Sequence, residues 1–185
     1  MKSLSRSLTD WLYRQGAISE DDRELYEYAA YCFLITTAPL IMALLLSAMI
    51  GGVKQYIAIL IPFMSLRQYC GGYHAKNVWV CMISSFMTLI FTVWIAMQDI
   101  GGIVHWLFVI AACVIIIKNS PIESENRKLN DNEKVEYRKK AVLLLIVFVL
   151  IVIILDIMEL DIFADSVGIG IILVAFSQIV YKIKQ

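Results

Sequence analysis

The chain is poor in charge. Only 17% of its 185 residues are Asp, Glu, Lys or Arg, and the sixteen basic and sixteen acidic side chains cancel. Overall charge therefore points to no partner, neither nucleic acid nor an acidic substrate. The first 28 residues are polar, without the early hydrophobic region and cleavage site of a secretory leader, so no signal peptide is expected and the first apolar run must itself direct insertion. Four cysteines, Cys32, Cys70, Cys81 and Cys113, lack the paired spacing of a zinc ribbon or a disulfide framework. Cys32 and Cys113 read as small buried hydrophobes.

What the chain has in excess is apolar residues. At 60% they exceed the roughly 45–50% of a soluble domain. The expectation is an all-α, polytopic membrane protein, with no room for a soluble domain beside several spans of about 20 residues each. Apolar runs lie at 29–50, 53–66, 78–97, 103–117, 141–158 and 162–181, bounded by charges or glycine. Runs 53–66 and 103–117 would cover only about 21–23 Å of a hydrocarbon core roughly 30 Å thick, so two of about six transmembrane helices are expected to be short, with full crossing open. The outer connections are tight, including Gly51-Gly52 and the stretch through Gly101-Gly102.

Lys and Arg concentrate in short cytoplasmic loops. With the N-terminus inside, fifteen of the sixteen basic residues fall on the cytoplasmic side and Lys54 alone falls outside. Six spans, both termini cytoplasmic and a cell-membrane location follow as expectations. Residues 1–28 form a cytoplasmic or interfacial segment, and 29–185 a single transmembrane domain carrying a loop at 67–77 and a basic loop at 118–140. In the first segment Leu4, Leu8, Trp11 and Leu12 share one face, which predicts an amphipathic helix at the membrane surface, either as an anchor or to receive a substrate helix. Gly16 is expected to stop it. Ser19 with Asp22 predicts a capping box for the next helix. Most charge of the 118–140 loop serves topology, with binding of acidic partner groups as the other reading.

The chemistry concentrates between Arg67 and Cys81, in RQYCGGYHAKNVWVC. A thiol becomes a useful nucleophile as thiolate, which requires a base or a cation nearby, and His74 with Arg67 and Lys76 can supply both to Cys81. Seven residues on one straight helix would hold His74 and Cys81 about 10.5 Å apart, so direct partnership requires His74 on a turn folded back over the start of a helix near Asn77. Gly71-Gly72 supplies the backbone freedom, and their N–H groups can serve an oxyanion. Asn77 is the candidate orienting group for His74. The stripe Cys81, Ser84, Ser85, Thr88 and Thr92 faces protein, as helix packing or as a lined cleft. A metal held by Cys70, His74 and Cys81 lacks a fourth ligand. His105, at the other end of its span, reads as structural. A transporter would usually bury ionisable residues in its spans, whereas this charge is almost confined to loops. A non-catalytic scaffold remains open.

Arg67, Gly72, His74 and Cys81, at the spacing Arg-x4-Gly-x-His-x6-Cys, resemble the signature of the AgrB family of membrane cysteine endopeptidases. Ser120-Pro121-Ile122-Glu123, Asn126-Arg127 and Tyr137-Arg138-Lys139-Lys140 are similar to that family's basic loop, with Lys128 a departure where relatives often carry proline. The resemblance covers essentially the whole chain. It implies a Gram-positive enzyme that removes the C-terminal tail of an AgrD-like quorum-sensing pro-peptide through an acyl-enzyme thioester and promotes macrocyclisation. A scaffold or a peptide exporter is the alternative. It further implies Cys81 as nucleophile and His74 as base or ion-pair partner. Arg67, Gly71, Gly72, Lys76, Arg127 and Lys128 would support the turn or bind the tail. The partners implied are the pro-peptide and the lipid bilayer, with a homodimer left open and no nucleic acid, metal or cofactor.

Overall fold

Inside hydrocarbon a helix satisfies its own backbone hydrogen bonds, and each of the six apolar runs becomes one. The computed structural model describes residues 2–73, 77–98, 102–123 and 129–184. Among these lie seven helices and no strand: α1 (Lys2–Arg14), α2 (Arg23–Met49), α3 (Val53–Cys70), α4 (Val78–Ala96), α5 (Gly102–Asn119), α6 (Asp131–Ile157) and α7 (Asp161–Ile183). Five of them, α2 and α4 to α7, are long and apolar enough to cross a bilayer. The chain is a multi-pass membrane protein. Both short runs lengthen: α3 and α5 each reach 18 residues, about 27 Å. Polar residues such as Lys54, Gln55 and Arg67 at its ends keep α3 out of the five.

Two other expectations shift. α2 opens at Arg23, so the Ser19 hydroxyl bonds the Asp22 carboxylate at 2.6 Å in the turn before the helix instead of capping it. The basic stretch 118–140 is loop only in part. α6 begins at Asp131, where the Asn130 N–H donates to the Glu133 carboxylate at 2.9 Å, so residues 131–140 are the polar first turns of a membrane helix.

The helices divide into two compact units, Met1–Leu46 with Ala75–Leu89, and Ser47–His74 with Ile90–Gln185. In the first, α1 turns Ser5 and Thr9 inward and leaves Leu4, Leu8 and Trp11 exposed, the arrangement of an interfacial helix. Arg6 pairs with Glu27 at 3.4 Å and Arg23 with Asp10, tying α1 to the start of α2. Cys32 is exposed rather than buried, because the exterior of a membrane helix is itself apolar; Cys113 is half-buried.

The second unit is built around α7, of whose most apolar stretch 67% is buried, against 17–22% for the other four candidate spans. Its sequence explains the position. Ala164, Ser166, Gly168, Gly170 and Ala175 are small enough for neighbours to close on the backbone. Gly170 lies against Pro62 and the Ile59 carbonyl of α3, and Gln178 meets the end of α3 at Cys70, so the two helices run parallel. α5 runs the same way, from His105 beside Asp165 to Asn119 beside Lys182. α6 is antiparallel to α5, with Trp106 bonded to Asp156 at 2.6 Å and Arg138 to the Ile117 carbonyl at 3.3 Å. α3 thus runs alongside α7 from the Gly170 level to Gln178.

Contrary to the expectation that charge keeps to the loops, Asp165 and His105 are both buried, with His105 Nδ1 3.2 Å from the carboxylate. The imidazole Cε1 and Nε2 close on Gly168, where any Cβ would overlap the ring. Gly168→Ala must push the ring off Asp165, and overpacking of this kind costs about 1–3 kcal/mol. Thermal unfolding in detergent is expected to show a lowered midpoint for this variant, while Gly102→Ala, with open space around it, leaves the midpoint nearly unchanged.

Candidate active site

α3 ends at Cys70 because the next residue takes a conformation side chains resist. Gly71 has φ +71° and ψ −169°, a combination essentially confined to glycine. Its N–H closes the helix on the Arg67 carbonyl at 2.9 Å. That N–H is therefore committed and is no oxyanion donor. The Ile122 N–H donates to the Cys70 carbonyl at 2.9 Å, laying the segment after α5 along the turn, and the Ile122 carbonyl occupies the place a Cβ on Gly71 would take. Gly72 is equally enclosed, by the Ser177 hydroxyl and the Arg67 guanidinium. The glycine pair thus serves close approach on two sides, a stronger reason for glycine than chain freedom alone.

Arg67 reaches over this turn. One guanidinium nitrogen donates to Ser177 Oγ at 2.8 Å and the other to the Tyr73 carbonyl at 2.7 Å. Arg67, Gly71 and Gly72 are therefore brought together as expected from their spacing. They border a cleft of about 210 Å³ whose far side is Ile122, Glu123, Leu129 and Tyr137. Glu123 is held by Lys134 at 2.9 Å, and Tyr69 meets the Tyr137 ring edge-on at 5.7 Å. His74, Lys76, Arg127 and Lys128 lie outside the described residues.

Cys81 lies in the first turn of α4. The Asn77 side-chain oxygen accepts the Trp79 N–H at 2.9 Å, and the Asn77 carbonyl accepts the Cys81 N–H at 3.0 Å, so Asn77 caps the helix that carries the thiol. That is the role the structure gives Asn77, whose oxygen was a candidate for orienting His74. Cys81 is a half-buried thiol, and the Ser84 hydroxyl donates to its carbonyl at 3.1 Å. Along the predicted stripe exposure falls with depth, from exposed Ser84 through half-buried Ser85 and Thr88 to buried Thr92. Cys70 is fully buried in the α3–α7 core.

Three residues of α7 at the turn, Ser177, Gln178 and Tyr181, and Lys184 just past its end escaped sequence reasoning. Gln178, fully buried, donates to the Cys70 carbonyl at 3.2 Å and to Ser120 Oγ at 3.0 Å. The Tyr181 hydroxyl donates to the Glu123 carbonyl at 2.8 Å. A polar Ser-Gln pair two turns before the end of an apolar span was the available signal.

The family model for accessory gene regulator B matches residues 5–178, nearly the whole chain. The chain belongs to the AgrB family. No curated protein and no solved structure matches it. Membership makes it a membrane peptidase-like protein of quorum-sensing peptide processing, working on a pro-peptide at the membrane. The AgrB match runs from α1 to Gln178, so the turn, the capped start of α4, Ser177 and Gln178 fall within it, while Tyr181 and Lys184 lie beyond it.

Proposed function

We propose that this AgrB-family protein is a cysteine endopeptidase that removes the C-terminal tail of a pro-peptide and promotes closure of the remaining segment into a ring. The observation that carries the reading is the position of Cys81, a half-buried thiol in the capped first turn of α4, seven residues after His74. The first turn of a helix presents N–H groups without intrahelical acceptors, a setting that favours negative charge. The N–H groups of Val78 and Val80 replace Gly71 as oxyanion donors in this scheme.

Cys81, deprotonated by His74, attacks the scissile carbonyl. The tetrahedral intermediate collapses, the C–N bond breaks, and the amine of the tail leaves with the proton held by the imidazolium. The product is a thioester on Cys81. An internal thiol of the peptide then attacks that carbonyl, forms the ring thioester and returns the Cys81 thiolate. Thioester exchange is nearly neutral in energy, so the barrier lies in amide cleavage, and shelter from water keeps the acyl-enzyme from hydrolysing first. Arg67 supports the turn through its bonds to Ser177 and Tyr73, while Lys76, Arg127 and Lys128 are assigned to an acidic tail. Both termini are assigned to the cytoplasmic face of a Gram-positive cell, and a homodimer is compatible with the reading.

Rapid quenching of the purified protein with an AgrD-like pro-peptide is expected to trap an adduct on the Cys81 peptide, heavier by the peptide minus its tail and released by hydroxylamine. Tail removal without any such adduct overturns the covalent mechanism.

A further inference from the structure

The last turn of α5 gathers positive charge from three helices. Lys118 lies in it, the Arg138 guanidinium of α6 donates to the Ile117 carbonyl at 3.3 Å, and the Lys182 ammonium of α7 donates to Asn119 Oδ1 at 2.6 Å. Ile117 and Asn119 are two residues apart, about 3 Å of helix rise, so the three cations share one end of one helix. All of them belong to the second compact unit.

The acceptors are a backbone carbonyl and a side-chain amide, which fix Arg138 and Lys182 in place and leave their charge uncancelled. The carboxylates of this end are spent elsewhere. Among the described residues Glu123 and Asp131 meet Lys134 at 2.9 and 3.8 Å, Glu136 meets Lys140 at 2.6 Å, and Glu133 accepts the Asn130 N–H at 2.9 Å. Lys134 and Lys140 thus have anionic partners on the protein, whereas Lys118, Arg138 and Lys182 have none among the described residues. The carbonyl end of α5 favours cations, but its partial charge is about half an elementary charge against three full ones. An anion from outside completes the balance.

The class of anion follows from the donors and from what lies beside them. An arginine carries five N–H donors and a lysine three, so Arg138 and Lys182 keep donors to spare after their bonds to α5, and with Lys118 they can surround a tetrahedral oxyanion. Lys118 shares a helix face with exposed Val114, four residues back, and Lys182 with exposed Ile179, three residues back. Cations at the end of an apolar, lipid-facing surface suit a phosphate joined to hydrocarbon.

We propose that the end of α5 binds an anionic phospholipid: its phosphate is held by Lys118, Arg138 and Lys182, and its acyl chains lie along Val114 and Ile179. Because the cations come from three helices, the lipid ties the ends of α5, α6 and α7 together. The site is independent of the roles given to Cys81 and His74.

Native mass spectrometry of the full-length protein in nonionic detergent, titrated with phosphatidylglycerol or phosphatidylcholine, tests this directly. Wild type is expected to retain one phosphatidylglycerol at least tenfold more tightly than phosphatidylcholine. Each basic residue near an anionic headgroup is worth about fivefold in affinity, so Lys118→Gln with Lys182→Gln should weaken phosphatidylglycerol binding by about 25-fold. Lys134→Gln with Lys140→Gln removes the same charge from cations that already have carboxylate partners, and should change it less than about twofold. Lys118→Gln alone breaks no bond among the described residues, so a fivefold loss there keeps the test intact if the double variant fails to fold. Equal losses in the two double variants, or equal retention of the two lipids by wild type, would overturn the site. Displacement of phosphatidylglycerol by equimolar inorganic phosphate would make the occupant a free anion and overturn the lipid assignment.

Discussion

Cys81→Ala is expected to abolish tail removal entirely, since no other group in the mechanism can form the acyl-enzyme. His74→Ala should cut turnover by roughly 10²- to 10⁴-fold, the usual worth of a positioned acid–base. Both variants should insert and fold as the parent does, because a first-turn cysteine contributes little packing. The other three cysteines give the contrast. Cys32 is exposed and Cys113 half-buried, so their alanine variants should process normally. Cys70 is wholly buried between α3 and α7, so Cys70→Ala should lose stability on the order of 1 kcal/mol while keeping its turnover. Co-expression with the pro-peptide and intact-mass analysis reads all five. Processing by Cys81→Ala would end the proposal of a thiol protease.

Gly71→Ala is expected to be nearly as damaging, by a different route. The residue holds φ +71° with ψ −169°, which costs any other residue about 1–3 kcal/mol. A methyl group would also meet the Ile122 carbonyl, and that carbonyl cannot retreat without breaking the Ile122 N–H bond to Cys70. The turn must therefore re-form elsewhere, carrying Gly72 and Tyr73 off Ser177. Turnover per folded molecule is expected to fall by two orders of magnitude or more, on the scale of a displaced catalytic group, with membrane insertion intact. Gly51→Ala makes the comparison: its φ is also positive, at +78°, yet nothing lies within 4 Å of its Cβ position, so only stability should suffer. Equal loss of turnover in both variants would show that Gly71 is merely a helix stop.

The helices were legible because a membrane core admits few other arrangements: an apolar run bounded by charge becomes a helix, and its approximate limits follow. The two errors of extent share one cause. Residues 131–140 and the ends of α3 are charged or polar, and composition cannot distinguish a solvated helical turn from a loop. Asn130 and Glu133 carried the capping signal, but in a stretch read for its charge. At the site, the spacing from Arg67 to Cys81 brought the turn and the thiol to attention, and Asn77 marked where α4 begins. Ser177 and Gln178 could not be found that way. Their partners are Arg67, Tyr73, Cys70 and Ser120, between 58 and 110 residues away in the chain, and no local pattern records a contact of that range. The buried Asp165–His105 pair was hidden for the same reason.

The dependence of the 70–73 turn on the end of α7 bears on biogenesis. The helices enter the membrane in the order of their synthesis, and the turn is made long before the helix that braces it. Until Ser177 and Gln178 have emerged and packed against α3, Arg67 and Tyr73 lack their anchors, and a half-made molecule carries the glycine turn without its brace. The 70–73 turn thus gains its bracing only as the final helix docks, after the rest of the fold is in place.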